Sequence, residues 1–226
     1  MKITWLGQAG LLFETENKII LVDPYLSDNV KNFEPKNYRR VPVDERFLKI
    51  NPDVIIITHN HFDHLDKETL KCYLTENASC LVLAPNGSWQ ELRKFGGNSN
   101  YVLFNNGTTW TEGNVIFTAV KAEHSDTYAI GVIISAAGKN YYVTGDTLYN
   151  EQVFGSIPNI EIEAVFLPVN GVGNNMNMKD AQAFAKRVNA KHTVPIHYGM
   201  FDTITVDGFE CENKVSAEIY TYINFQ

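Results

Sequence analysis

Residues 53–64 read Asp53-Val54-Ile55-Ile56-Ile57-Thr58-His59-Asn60-His61-Phe62-Asp63-His64, a β-branched apolar run that discharges into three histidines and an aspartate. The first half has the composition of a strand buried on both faces. The second half puts four strong metal ligands within six residues, on the loop where that strand ends. In extended backbone, positions 59, 61 and 63 point one way and His64 faces a neighbouring position. One tetrahedral ion cannot take all four from so short a segment. Two adjacent ions can, with His59 and His61 on one and Asp63 and His64 on the other. Neutral imidazoles together with hard carboxylates suit Zn²⁺, Mn²⁺ or Fe²⁺. A purely structural role would leave several buried polar rings side by side with nothing to satisfy them.

Outward from this loop the pattern alternates short strands with helices. Lys2–Leu6, Gly10–Glu14 and Lys18–Val22 read as an antiparallel meander closed by Asp23-Pro24. Tyr25 to Val43 is a polar loop long enough to suggest a role at a site. Helices are expected over Asp66–Asn77, with Asp66 as N-cap, and over Asn86–Phe95, ended by Gly96-Gly97. Cys80–Ala84 falls between them as a strand. Further strands are expected at Tyr101–Phe104, Asn114–Lys121, Ala129–Ser135, Asn140–Thr144, Glu163–Pro168 and His192–Ile196, with Gly138-Lys139-Asn140 as a turn. Asn150–Phe154 reads as a short helix. Asn177 to Asp180 is a capping-box-like start to an amphipathic helix over Met178–Asn189. Lys214–Phe225 fits helix or strand equally. Without a linker or fixed-period repeat, the two mixed halves point to one layered α/β domain.

Composition sets the class. The 226 residues are 44% hydrophobic, 12% aromatic and 20% charged, a globular profile that excludes disorder and fibrous chains. The 19 Lys and Arg against 26 Asp and Glu leave a formal net charge of −7. That balance argues against nucleic acid, whose binding rests on neutralised phosphates, and against an anionic membrane surface. Cys72, Cys80 and Cys211 have no short spacing, so neither a disulfide framework nor a thiolate metal knuckle is expected. The N-terminus lacks the features of a signal peptide, and no apolar stretch approaches the ~20 residues that span a bilayer. The expectation is a cytoplasmic protein with a small-molecule substrate; the sequence leaves homo-oligomerisation open.

The run His59-Asn60-His61-Phe62-Asp63-His64 resembles the HxHxDH signature of the metallo-β-lactamase superfamily. Further pieces stand in the order that resemblance requires: His124 after one strand, Asp146 in Gly145-Asp146-Thr147, and His197 in Pro195-Ile196-His197-Tyr198. It implies an αββα four-layer sandwich, two mixed sheets with helices on the outer faces and the metals at one edge. Carried over by motif, His59, His61 and His124 form one metal site, and Asp63, His64 and His197 the other. Asp146 bridges them, giving two divalent ions per chain. Asp23 would hold the ligand loop through a hydrogen bond. Tyr149, Asn170 and Tyr198 flank ligand loops and are substrate-contact candidates. His192 reads as an ordinary core histidine. The stretches His124–Gly131, Gly145–Tyr149, Asn170-Gly171 with Asn175–Met178, and His197–Phe201 are similar to the ascorbate-6-phosphate lactonase-like branch.

The chemistry so implied is hydrolysis by a hydroxide shared between two cations, with Asp63 and Asp146 orienting it and accepting its proton. The expected substrate is a small anionic molecule, a sugar-acid lactone or its phosphate, with the dications reversing the local field of an acidic chain. A phosphodiesterase acting on a small or lipid substrate, and a non-catalytic metal-dependent sensor, are the alternatives. Zinc β-lactamases carry Cys where Asp146 stands, and the oxygen-reducing di-iron relatives carry Glu in place of His61. No GxSxG elbow offers a serine nucleophile.

Overall fold

The computed structural model describes residues 1–225. Its first sheet runs in chain order: β1 (Lys2–Gly7), β2 (Gly10–Glu14), β3 (Ile19–Val22), β4 (Val54–Ile56), β5 (Leu81–Ala84) and β6 (Asn100–Leu103). The β1–β2 and β2–β3 pairs are antiparallel, and the three pairs from β3 to β6 are parallel. The second sheet contains β7 (Thr109–Glu112), β8 (Val115–Lys121), β9 (Ile130–Ala136), β10 (Lys139–Val143), β11 (Ala164–Pro168) and β12 (His192–Ile196). Its neighbours follow the order β12-β11-β10-β9-β8-β7, antiparallel from β7 to β10 and parallel from β10 to β12.

Alternation along the strands builds the layers. Ile20, Val22, Val54, Ile56 and Leu83 of the first sheet face Phe117, Val132, Val143, Phe166 and Val194 of the second in one shared core. The opposite face of the first sheet, with Leu21, Ile55 and Val82, is covered by α1 (Lys67–Tyr73) and α2 (Asn86–Leu92). The outer face of the second sheet packs on α3 (Glu151–Phe154) and α4 (Met178–Val188) through Val153, Ala181, Phe184 and Ala185. This is the expected αββα arrangement. In α4 the buried residues recur at helical spacing, and burying Phe184 alone contributes about 2–3 kcal/mol. Asn177 caps the helix by accepting the Asp180 N–H at 3.0 Å, and Asn189 ends it in the left-handed region at φ 53°. The cap is not the reciprocal box expected, because Asp180 meets the Asn177 side chain rather than its backbone N–H.

Several expectations are corrected. The strand expected over 53–58 is regular from Val54 to Ile56 and keeps sheet hydrogen bonds through Ile57 N–H to Leu83 O at 3.0 Å, after which the Thr58 N–H turns to the Asp23 carboxylate at 2.8 Å. The turn after β9 is Ala137-Gly138, with φ 50° and 75°, and β10 starts at Lys139. Strand β7 was not expected; its half-exposed, polar alternation is that of an edge strand with little apolar signal. Residues 214–225 form neither helix nor regular strand. They hydrogen-bond across both neighbouring sheet edges, Val215 N–H to Thr193 O at 2.8 Å and Ile223 N–H to Ile3 O at 2.8 Å. Edges β12 and β1 are thereby covered. The Tyr25–Val43 loop contains a single 3₁₀ turn at Asn29–Asn32. Arg39 pins it by donating to Tyr25 O and Val41 O, both at 2.7 Å.

Candidate metal centre

Parallel pairing decides where the polar residues meet. Strands β3, β4, β8, β10 and β12 end at one edge of the sandwich, and each releases a site residue there: Asp23, the 59–64 loop, His124, Asp146 and His197. Ligands gather outside the carboxyl ends of strands in open α/β sheets for this same reason. Two cross-connections register the sheets at that edge. Ile130 N–H donates to Thr58 O at 3.0 Å, and His197 N–H donates to Gln8 O at 2.9 Å. Gly145, at φ 61°, lets the chain turn into Asp146 where a Cβ would lie 2.6 Å from Ile130 O.

The seven ligand candidates converge in two sets. One ligand atom each from His59, His61, His124 and Asp146 lies within 4.8 Å of the others, and the same holds for Asp63, His64 and His197. Asp146 sits between the sets: Oδ2 is 4.0 Å from His59 Nε2, while Oδ1 is 3.2 Å from both His64 Nε2 and His197 Nε2. His59 and His64 are fully buried, and His197 and Asp146 nearly so.

Around the cluster the outward ring nitrogens have partners that fix their tautomers. His64 Nδ1 donates to Asp23 Oδ2 at 2.8 Å. Thr58 Oγ1 donates to the same oxygen at 2.5 Å and receives the His59 Nδ1–H at 3.1 Å. His124 Nδ1 donates to Asn174 O at 3.2 Å, and His61 Nε2 faces Ser125 Oγ at 3.3 Å. This leaves His59 Nε2, His61 Nδ1, His64 Nε2 and His124 Nε2 turned inward. Asn175 Nδ2 donates to Asp146 Oδ2 at 2.8 Å, and the Asn60 N–H donates to Asp126 Oδ2 at 3.1 Å, tying the ligand loop to the segment after His124.

Inside the cluster the hydrogen bonding fails. His59 Nε2 and Asp146 Oδ1 are buried without a hydrogen-bond partner, since the 3.2 Å contacts to Oδ1 lack donor geometry. His61 Nδ1 faces His124 Nε2 at 3.2 Å, and His64 Nε2 faces His197 Nε2 at 3.4 Å. Inward lone pairs, orphaned buried atoms and an imidazole–carboxylate donor set are what a divalent cation satisfies. The residues therefore fit the metals that the motif implies.

Charge coupling is strong without a cation. Burial, then the neighbouring His64, push the His59 pKa well below the ordinary histidine value. Burial also lowers His124. For His64 and His197 burial acts in the same direction, but nearby carboxylates outweigh it, Asp146 foremost. His64 is raised well above the usual value and His197 is pushed up to about 9. Burial would raise Asp63 and Asp146, but their histidine neighbours dominate and hold both carboxyls low.

A cavity of about 940 Å³ opens onto the cluster, within the range of small-molecule sites. Asn170 lines it, with a buried Oδ1 that has no partner. Tyr149 and Tyr198 do not line it. The Tyr149 ring leans on Phe154 and Phe184 but stays 37% exposed, its hydroxyl donating to Glu151 Oε1 at 3.2 Å, and Tyr198 packs on Trp5 at 5.1 Å between ring centroids. His192 lies apart from the cluster, against Phe225. Sequence reasoning missed Gln8, whose Nε2 donates to Asp63 Oδ2 at 2.8 Å and lies 3.2 Å from His197 Nε2. Its signal is its setting, a polar residue between Gly7 and Ala9 in a tight turn, buried at φ 49°. Asp23 and His197 share that left-handed backbone, at φ 44° and 62°.

Two facing mixed sheets with helices outside, and a histidine–carboxylate cluster along the strand-end edge, define a metallo-β-lactamase fold. Residues 2–197 match the family model described as beta-lactamase superfamily domain, and the chain belongs to that family. A UPF0173 metal-dependent hydrolase of Bacillus cereus is 30% identical over 235 residues, covering 95% of this chain and 93% of the relative. Among solved structures, an isothiocyanate hydrolase from Delia radicum gut bacteria superimposes with TM-score 0.74 at 18% identity, over 100% of this chain and 99% of that one. The metallo-β-lactamase fold protein YhfI from Bacillus subtilis gives 0.72 at 15% identity, over 98% of each chain.

Proposed function

We propose that this protein is a metal-dependent hydrolase that opens a small lactone. The observation that carries the reading is the set of seven inward-facing histidine and aspartate ligands, with two orphaned buried atoms, beside a cavity of about 940 Å³. The similarity to a UPF0173 metal-dependent hydrolase along nearly the whole chain supports it.

His59, His61 and His124 would hold one divalent ion, and Asp63, His64 and His197 a second, with Asp146 between them. A divalent zinc, manganese or iron ion held there would supply a hydroxide nucleophile near neutral pH and polarisation of the substrate carbonyl. The chain's own residues do the rest. Asp23 and Thr58 hold His59 and His64 in the tautomers that present Nε2 inward. Gln8 orients the Asp63 carboxylate, and Asn175 orients that of Asp146. Asp63 and Asp146 accept and relay the proton released by water, and Asn170 offers an unsatisfied oxygen to a substrate hydroxyl or N–H. We place the protein in the cytoplasm, in keeping with three free cysteines; no helix among the described residues is long and apolar enough to cross a membrane.

Metal analysis of protein purified without added metal tests the centre, with close to two ions per chain expected and far fewer in His61→Ala or Asp146→Ala. A screen of lactones against phosphodiesters with Zn²⁺ and with Mn²⁺ tests the chemistry. Turnover by metal-stripped wild-type protein would sink the reading.

A further inference from the structure

The wall of the cavity beyond the ligand candidates carries more carboxylates than cations. Glu34, from the Tyr25–Val43 loop, and Asp202, after the His197 turn, both line it. Neither has a cationic partner: Glu34 accepts from Asn37 Nδ2 at 2.6 Å, and Asp202 Oδ1 accepts the N–H groups of Gly199 and Ile204 at 2.9 and 2.8 Å. Glu91 is a third carboxylate on this wall. Among the described residues, Lys67 is the one Lys or Arg lining the cavity, and its Nζ is held by Glu91 Oε2 at 2.8 Å. Lys94 also pairs with Glu91, whose carboxyl is held at about 2 by hydrogen bonds from the two lysines. Recognition of a phosphate or carboxylate rests on Arg or Lys with hydrogens to give. This wall offers none that is free.

The remaining wall mixes uncharged amides, Asn60 and Asn170 among them, with exposed apolar side chains. Phe62, between the ligands His61 and Asp63, is 42% exposed at the cavity and stacks on Phe33 at 4.1 Å between centroids. Val172 lines the cavity at 63% exposure.

Resting on the hydrolase reading above, we propose that the substrate is an uncharged lactone with an apolar substituent, and that Glu34 and Asp202 form a rim that rejects anions. Charge balance gives the rim a second use. Water adds to the lactone carbonyl, the ring C–O bond breaks, and the ring oxygen leaves as a hydroxyl. At neutral pH the new carboxylic acid loses its proton. An uncharged molecule thus enters past the rim and a carboxylate anion is repelled outward.

Two measurements on the metal-loaded protein test this, using wild type and the double variant Glu34→Gln, Asp202→Asn. Both replacements keep the acceptor oxygens, and melting and metal content check that the variant is intact. The first measurement is the affinity for inorganic phosphate by calorimetry at low ionic strength. Removing two partly solvated charges should tighten it about tenfold, with the difference shrinking in high salt. The second compares kcat/KM for an alkyl-substituted lactone with that for its phosphorylated counterpart. Wild type should favour the uncharged compound by at least about tenfold, and the double variant should lose most of that preference. Unchanged phosphate affinity, or a wild-type preference for the phosphorylated lactone, overturns the rim. Tightened phosphate affinity without turnover of any lactone supports the rim and overturns the lactone substrate.

Discussion

Asp23 Oδ2 lies 2.8 Å from His64 Nδ1 and also accepts the Thr58 hydroxyl, which in turn receives the His59 ring N–H. One fully buried carboxylate therefore sets the orientation and tautomer of two histidines assigned to different ions. In Asp23→Asn, an amide N–H₂ facing Thr58 and His64 would oppose two donors and force the His64 ring to its other tautomer. Metal affinity should fall about 10–100-fold, measured by competition with a chelator indicator. Affinity within a factor of two of wild type would show that Asp23 does not position the ligands.

Gln8 acts on one set only, through Asp63 Oδ2 at 2.8 Å and the neighbouring His197 ring. Gln8→Ala should lower metal occupancy from about two ions toward one. The stability cost of the lost hydrogen bond should be about 1–2 kcal/mol. Metal analysis after dialysis, paired with urea denaturation, separates the two effects; equal loss of both ions would contradict this assignment.

The metal-free protein should lose stability as pH rises above neutrality. His197, at about 9, and His64 are raised by Asp146 and its neighbours against the effect of burial. Their contribution is complete below the ordinary value of 6.5 and is lost as pH climbs through the folded value. His59 and His124 are lowered, chiefly by burial, so their effect is confined to pH below 6.5. Asp63 and Asp146 are depressed and lose their contribution only in acid. Between pH 6.5 and 9.5 the raised histidines dominate the cluster, and His197 by itself accounts for a loss on the order of 3 kcal/mol. Ions replace those protons, so melting scans of loaded protein should lack this decline, and metal uptake at pH 7 should release protons to the buffer. Identical pH profiles with and without metal would argue against the cluster as the binding site.

Gly145 is held to glycine by backbone. At φ 61°, with a Cβ position 2.6 Å from Ile130 O and 3.0 Å from Thr58 Cβ, Gly145→Ala must displace the strand end that presents Asp146. The expected destabilisation is about 2–4 kcal/mol, read from denaturant midpoints. Ion content should fall with it, because Asp146 lies between both ligand sets.

Much of this architecture was legible before folding. The apolar run ending at Thr58 and the ligand candidates that follow it depend on local order alone, so residues 53–64 announced both a buried strand and a candidate metal loop. Helix caps at Asp66 and Asn177 were readable because they too are local, each accepting a backbone N–H of its own helix. Local pattern misled where the environment decides. Tyr149 and Tyr198 sit beside ligand loops in sequence, yet neither lines the cavity: Tyr198 packs on Trp5, and Tyr149 stays exposed against Phe154. The polar edge strand β7 and the edge-covering tail at 214–225 gain their hydrogen bonds from distant partners.

By itself, then, the sequence determined every strand but β7, the candidate ligands of the 59–64 loop and the acidic balance of the chain, because each follows from residue type and short-range spacing, while His124, Asp146 and His197 were reached through the family resemblance. Only the tertiary structure decided which histidines meet, since His61 and His124 come within 3.2 Å through the common direction of strands far apart in the chain. It also decided that Gln8 and Asp23 stand behind the ligand candidates, and that Lys67, the one lysine lining the cavity among the described residues, is paired with Glu91. Those are facts of long-range packing and burial, where hydrogen-bond satisfaction, not residue type, assigns each side chain its work.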